Sequence, residues 1–293
     1  EMVLKLIDDH PRGRLELPER GGKQAQLSGI DIGKDAIAER VRGPYPPMWA
    51  VHVNGKWLPN LEAADLQGAI LSDATLRGAI LSGACLQRAK VGNADLQDVD
   101  LSNTNLIGIE GYDTHFERAL LHGAKLQDSF LVGTHLEATL IWSTNLEGTT
   151  LIQPHLERAS LVGARLEGAT LIGAHLEGAK LNGTHLEGLD LSTACLTGVH
   201  LSEAWLDRTR LSHSQLGDAI GEDLEETYPL ARQGYLLLKQ NFESLGDYEG
   251  AAWAYRKERR MEKLEALHDG YAAERQGNCL QALKHYAKAA LDK

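Results

Sequence analysis

The chain has 293 residues, and at roughly 150 residues per domain this suggests about two domains. Its 30 basic and 41 acidic residues leave a net charge of −11, which argues against a general basic surface that grips nucleic-acid phosphates. Hydrophobic residues make up 43% but aromatic residues only 5%, so the apolar content is small aliphatic side chains, and 30 Gly with 8 Pro exclude collagen.

Residues 1–58 read as an N-terminal cap. They hold Pro11, Pro18, Pro44, Pro46 and Pro47 among scattered charges, and Glu1 precedes Met2. Ala50-Val51-His52-Val53 and Lys56-Trp57-Leu58 flank Asn54-Gly55, which predicts a type I′ hairpin near 50–58. A hairpin there would cover the open edge of whatever sheet follows.

A five-residue period then runs unbroken from Leu61 to Leu216. It fills 32 positions, of which 28 are Leu; the others are Val91, Gly111, Phe116 and Ile141. Two residues before each Leu stands a small residue, as at Ala64, Ala69, Ala164 and Ala169, and two residues after it Gly is common, as at Gly163, Gly168 and Gly173. A period of five fits neither a helix at 3.6 nor a strand at 2. It fits a coil that turns a corner every five residues, with the Leu and the small residue pointing inward and the Gly supplying the corner. Four such sides would close a coil of 20 residues, and eight coils stacked ~4.8 Å apart would make a rod of ~38 Å.

Ala64-Asp65-Leu66-Gln67-Gly68 and Ala94-Asp95-Leu96-Gln97-Asp98 resemble the A-(D/N)-L-x-x unit of the pentapeptide-repeat family. The resemblance implies a mainly β fold for residues 59–221: a right-handed quadrilateral parallel β-solenoid of about eight coils. Gly111, with Ile109 in the small position before it, departs from the pattern and predicts a distortion with a cavity near 107–116. Pro154 and Leu189 also break the small position.

Residues 222–293 change character to an α-helical module. Gly246, Ala251 and Tyr255 repeat as Gly277, Ala282 and Tyr286, with Gly270 seven before Gly277. The spacing resembles that of tetratricopeptide repeats and implies two helical hairpins. Glu258 stands where a small residue is typical, and the offset of 31 is short of the usual ~34. Tyr248 and Tyr255 are candidate partner contacts of this module. Arg256-Lys257-Glu258-Arg259-Arg260 interleaves with Glu262 and Glu265 and reads as surface ion pairing.

Residues 20 apart should stack in columns. Glu117, Glu137, Glu157 and Glu177 then form one acidic side; Glu147, Glu167, Glu187 and Asp207 form the opposite one. The other two sides are partly apolar. One carries Phe130, Val132, Ile152 and Ile172, the other Leu120, Leu140, Trp142 and Val162. Such patches mark a partner surface or a place where another segment packs. His115, His135, His155 and His175 accompany the first acidic side. Alternating imidazoles and carboxylates would suit a divalent metal or a charge change near pH ~6.5. A flat β-surface does not converge ligands tetrahedrally, so we read the column as a solvated ladder and expect no metal and no cofactor.

The expected function is therefore a non-catalytic scaffold whose partner is another protein, with a homodimer permitted and no direct binding of nucleic acid. The sequence shows no Walker loop, dinucleotide fingerprint, G-x-S-x-G or HExxH. The family resemblance also offers a DNA mimic that binds or protects a type II topoisomerase such as DNA gyrase. Against it, residues 61–220 carry a net charge of −10, whereas ~38 Å of duplex DNA carries about 22 charges. Cys85, Cys195 and Cys279 have neither metal-ligand spacing nor an even count, which points to a reducing cytoplasm. No apolar run reaches about 18 residues, so no membrane span is expected. The pairing of repeats with a helical segment is similar to bacterial proteins in which an ion-channel-like domain follows, so the chain fits either the soluble part of a larger protein or a soluble relative.

Overall fold

The computed structural model describes residues 50–53 and 56–291. The expected cap over 1–49 and the Asn54-Gly55 turn lie outside the described residues. Strands β1 (Ala50–Val53) and β2 (Lys56–Pro59) pair antiparallel, Val53 opposite Lys56.

From Asn60 onward the chain pairs with itself 20 residues later. Asn60 bridges Ile80, Asp65 bridges Cys85, Ile70 bridges Lys90 and Thr75 bridges Asp95, all parallel, so four columns of bridges run along the rod. Each side of a coil contributes several rungs. Leu66 N–H donates to the Cys85 carbonyl (2.7 Å), Gly68 N–H to Gln87 (2.8 Å), and Cys85 N–H back to Ala64 (2.9 Å). On one side the backbone is extended enough to form named strands: β3 (Glu110–Tyr112), β4 (Phe130–Val132), β5 (Thr150–Ile152) and β6 (Thr170–Ile172), parallel and in order.

The five-residue unit explains the coil. The leucines are buried, and so are the small residues two before them. Each fully buried Leu contributes about 1.5–3 kcal/mol. Space inside is short: among the inward residues from Phe116 to Leu161 about 10 Å³ is free, and the wholly apolar lining offers a water no partner. Where the small inward residue is Thr or Ser, its hydroxyl donates to the carbonyl 23 residues earlier, as from Thr104 to Leu81 (2.9 Å) and from Thr184 to Leu161 (2.8 Å). A buried hydroxyl is thereby satisfied without water. The corner residue, two after the Leu, sits in the left-handed region, where glycine is at ease: φ is +71° at Gly168. The same conformation is forced on Ala138 (φ +55°) and Arg158 (φ +57°).

The expected distortion at 107–116 does not occur. Gly111 stays in register opposite Leu131. The room of the missing side chain is already filled: a Cβ at Gly111 would stand 2.7 Å from Thr114 Oγ1, 3.0 Å from Leu131 Cδ2 and 3.2 Å from Val91 Cγ2. Ile109 and Phe116 are both buried. A trace of the irregularity survives one coil on, where the Thr134 hydroxyl, which by the 23-residue rule would reach the Gly111 carbonyl, has no partner. Pro154 and Leu189 leave the ladder intact, their carbonyls accepting from His175 N–H (3.0 Å) and Arg210 N–H (2.8 Å).

The far end of the ladder is closed by side chains. Helix α1 (Gly221–Leu224) places Glu222, 1% exposed, against the last coil. Its Oε1 accepts from the Leu201 N–H (2.7 Å), the Ser202 N–H (2.6 Å) and Asn182 Nδ2 (3.2 Å). Gln215 Nε2 donates to the Leu191 and Ala194 carbonyls (2.7 Å each), and Asn241 Nδ2 to Thr209 (2.8 Å). These groups stand in for the next coil.

Helix α2 (Tyr228–Leu245) ends at Gly246 (φ +75°); α3 (Tyr248–Arg275) is capped by Asp247, whose carboxylate accepts from the Gly250 N–H (2.9 Å). Helix α4 (Cys279–Leu291) follows Gly277 (φ +73°). α2 packs on α3 and α3 on α4. Two separate hairpins would need four helices; three are observed among the described residues from Tyr228 on, with α3 running 28 residues without a break. Gly270 lets α4 approach, since a Cβ there would stand 2.4 Å from Tyr286 Cε1. Tyr235 anchors α2 to the rod end: its hydroxyl donates to Asp223 Oδ2 (2.9 Å) and accepts from the Ile220 N–H (3.2 Å).

Candidate interaction faces of the rod

Alternation at each side of the coil puts the inward Leu between two outward residues, so every side displays two columns. The structure sorts the sequence-predicted residues as follows. Phe130, Val132, Ile152 and Ile172 share the β3–β6 side, with Ile172 52% exposed and Val132 and Ile152 half-buried. Tyr112 extends this row and meets the Phe130 ring edge-on at 5.7 Å. Trp142, 45% exposed, and Val162 lie on another column set with Leu120 and Leu140. Trp142 Nε1 donates to Ser160 Oγ (2.6 Å). The two apolar groups stand half a coil apart, ten residues in register, and do not converge. Tyr248 and Tyr255 are on α3, both exposed, with Lys239 Nζ 5.2 Å from the Tyr255 ring centre.

The histidines form a true stack. Ring centres of His115, His135, His155 and His175 are separated by 4.6, 4.9 and 4.9 Å, with planes within 8° of parallel. Nδ1 of His115, His135 and His155 lies 3.2–3.3 Å from Oε1 of Glu117, Glu137 and Glu157. For His175 and Glu177 the gap opens to 3.6 Å. The other carboxylate oxygens, Oε2 of Glu117, Glu137, Glu157 and Glu177, are buried and without a hydrogen-bond partner. Cys195 bridges His175 and so continues the column. Burial, and then the charges of Glu177 and Glu157, hold its thiol above the usual cysteine range.

This side brings possible ligand atoms near one another, though at the spacing of the coils rather than in a tetrahedral set. Three triads, His115–Glu117–His135, Glu137–His155–Glu157 and His175–Glu177–Cys195, each bring one ligand atom per residue within 4.8 Å of the others.

The opposite acidic side is partly neutralised. Arg165 bonds Glu147 and Glu167, and His185 bonds Glu187 (3.3 Å). Trp205, 57% exposed, lies flat on His185 at 5.2 Å. It borders a cleft of about 630 Å³ between the last coil and α2, lined also by Asp207, Gln233 and Leu237. Trp205 was not singled out from the sequence, and Cys195 was read there only as a cysteine without metal-ligand spacing, although each stands 20 residues after a histidine, at His185 and His175.

Similarity to known proteins falls within the repeat-bearing residues. The sequence model described as pentapeptide repeats matches eight copies, within residues 60–93, 94–137 and 159–198. Solved structures that match include HetL from the cyanobacterium Nostoc sp. strain PCC 7120, a pentapeptide repeat protein involved in heterocyst differentiation regulation. It is 26% identical over 64% of this chain and 81% of that one, with a TM-score of 0.29. Trypsin-treated QnrB1, a plasmid-mediated fluoroquinolone resistance protein, is 20% identical over 59% of this chain and 84% of its own, with a TM-score of 0.34. Rfr23 from the cyanobacterium Cyanothece 51142 is 22% identical over 65% and 86%, with a TM-score of 0.14. No curated protein matches the chain. The residues that the pentapeptide-repeat model matches lie in the part of the chain that pairs with itself every 20 residues, and a helical region follows.

Proposed function

We propose that the protein is a non-catalytic, cytoplasmic interaction scaffold. In this reading a cap over residues 1–58, a right-handed rod of about eight coils over 59–221 and a tetratricopeptide-like module over 222–293 present separate surfaces to another protein. The observation that carries it is the row of exposed apolar residues on the β3–β6 side, from Tyr112 through Phe130 to Ile172. A rigid ladder holds these side chains at fixed spacing, so little entropy is lost when a partner covers them. Free Cys85, Cys195 and Cys279 accord with a reducing compartment. No described helix is long and apolar enough to cross a membrane.

The test is affinity capture from the host with the full chain, alongside Phe130→Glu/Ile172→Glu and Tyr248→Ala/Tyr255→Ala variants. The first pair should lose the partner if the rod face recognises it, the second if the helical module does. Equal recovery by all three proteins would refute the scaffold surfaces named here.

The DNA-mimic reading draws on the rod's charge. Basic residues already counted in the net −10 are ion-paired on the rod's surface, as in Arg77–Asp95, Arg118–Asp98 and Arg165–Glu147, which breaks up its negative faces. An apolar row also has no counterpart on a phosphate backbone. Inhibition of gyrase supercoiling by the protein would reverse this preference.

A further inference from the structure

We propose that His175, Glu177 and Cys195 form a binding site for a divalent transition metal, with zinc the ion that best suits the donors. Imidazole nitrogen, carboxylate oxygen and thiolate sulfur are the three ligand types that zinc takes from proteins. Here the three ligand atoms already lie within 4.8 Å of one another on two adjacent coils. Tetrahedral zinc places such atoms about 3.3–3.8 Å apart, so side-chain rotation of about an ångström completes the approach. A fourth position faces solvent, because Cys195 is exposed.

One observation sets this end of the column apart, and a second, shared along the column, favours a cation. The three preceding histidines keep Nδ1 within 3.2–3.3 Å of their own glutamate, while His175 stands 3.6 Å from Glu177, so its ring is the one not committed to that bond. The Glu177 Oε2 atom, like that of Glu117, Glu137 and Glu157, is buried with no hydrogen-bond partner. An acceptor left so costs free energy that a cation would recover. The two triads further up the column offer only nitrogen and oxygen, and lack the soft sulfur that favours zinc over hard cations. They are weaker secondary positions.

Zinc uptake replaces the Cys195 thiol proton, which leaves to solvent, and so forms a zinc–thiolate bond with no redox change. Affinity therefore falls as the pH is lowered.

The experiment uses the whole 293-residue chain, stripped with chelator and titrated with zinc chloride. Isothermal calorimetry should show saturable binding, and Cys195→Ser should weaken it about tenfold or more. Because a variant can perturb folding, the wild-type protein provides a second readout. Zinc should slow alkylation of Cys195, read by peptide mass spectrometry, about tenfold, whereas magnesium, an oxygen-seeking ion, should not. Absence of saturable binding, unchanged alkylation of Cys195, equal protection by magnesium, or full affinity in Cys195→Ser would each overturn the site.

Discussion

Replacing Glu222 with Ala should unlock the closed end of the rod. The carboxylate is 1% exposed, and its Oε1 is the acceptor for the Leu201 and Ser202 amides. Removal leaves two buried donors unpaired, at about 1–3 kcal/mol each, so the cost is about 4 kcal/mol. At 1.4 kcal/mol per decade, that is about a thousandfold loss of amide protection at those two residues. Glu222→Gln keeps an oxygen acceptor and should cost only about 1–2 kcal/mol. Native-state hydrogen exchange resolved at Leu201 and Ser202, with thermal unfolding alongside, reads both values. Exchange in Glu222→Ala within threefold of wild type, or equal damage by Gln and Ala, would show that the side chain is not acting as the terminal acceptor of the ladder.

Gly168→Ala should cost about 1 kcal/mol, the left-handed penalty less the gain from a stiffer unfolded chain. The position has φ +71° and no atom within 4 Å of an added Cβ, so a shift in the denaturation midpoint isolates the backbone effect. Phe116→Ala, at 1% exposure, should cost about 3–5 kcal/mol by the same measurement. Tyr235→Phe should lose about 1–2 kcal/mol with its two hydrogen bonds. Burial, and the neighbouring Asp223, raise this tyrosine's pKa above its ordinary value of about 10. The folded state therefore favours the neutral phenol. Its contribution is complete below pH ~10 and is lost as the pH rises beyond that. A wild-type stability curve that falls above pH ~10, against a flatter one for Tyr235→Phe, would display the difference.

The rod was legible because one period carries its whole design. Leu, the small residue and the corner residue repeat at fixed offsets, so inward and outward positions follow from counting. What counting missed lies where identity at one site decides geometry. Gly111 reads as a hole, but Leu131, Val91 and Thr114 lean into it. The grouping of possible ligands beside His175 was hidden because Cys195 looks like a stray small residue until it is placed one coil on. The ladder's terminal acceptors, Glu222, Gln215 and Asn241, obey no period, since each meets a particular unpaired group. The helices at 228–291 announced themselves by Gly246 and Gly277, yet the spacing could not say that α3 would run on as one helix.

The 20-residue pairing makes the rod an indexing device. Inserting 20 residues would advance everything beyond them by one coil, ~4.8 Å, while keeping its heading. Inserting five would advance it by a quarter of that and swing the helical module to the next side. Gene duplication in such a chain can thus adjust reach and heading separately, by whole coils or by single sides, without redesign of either surface.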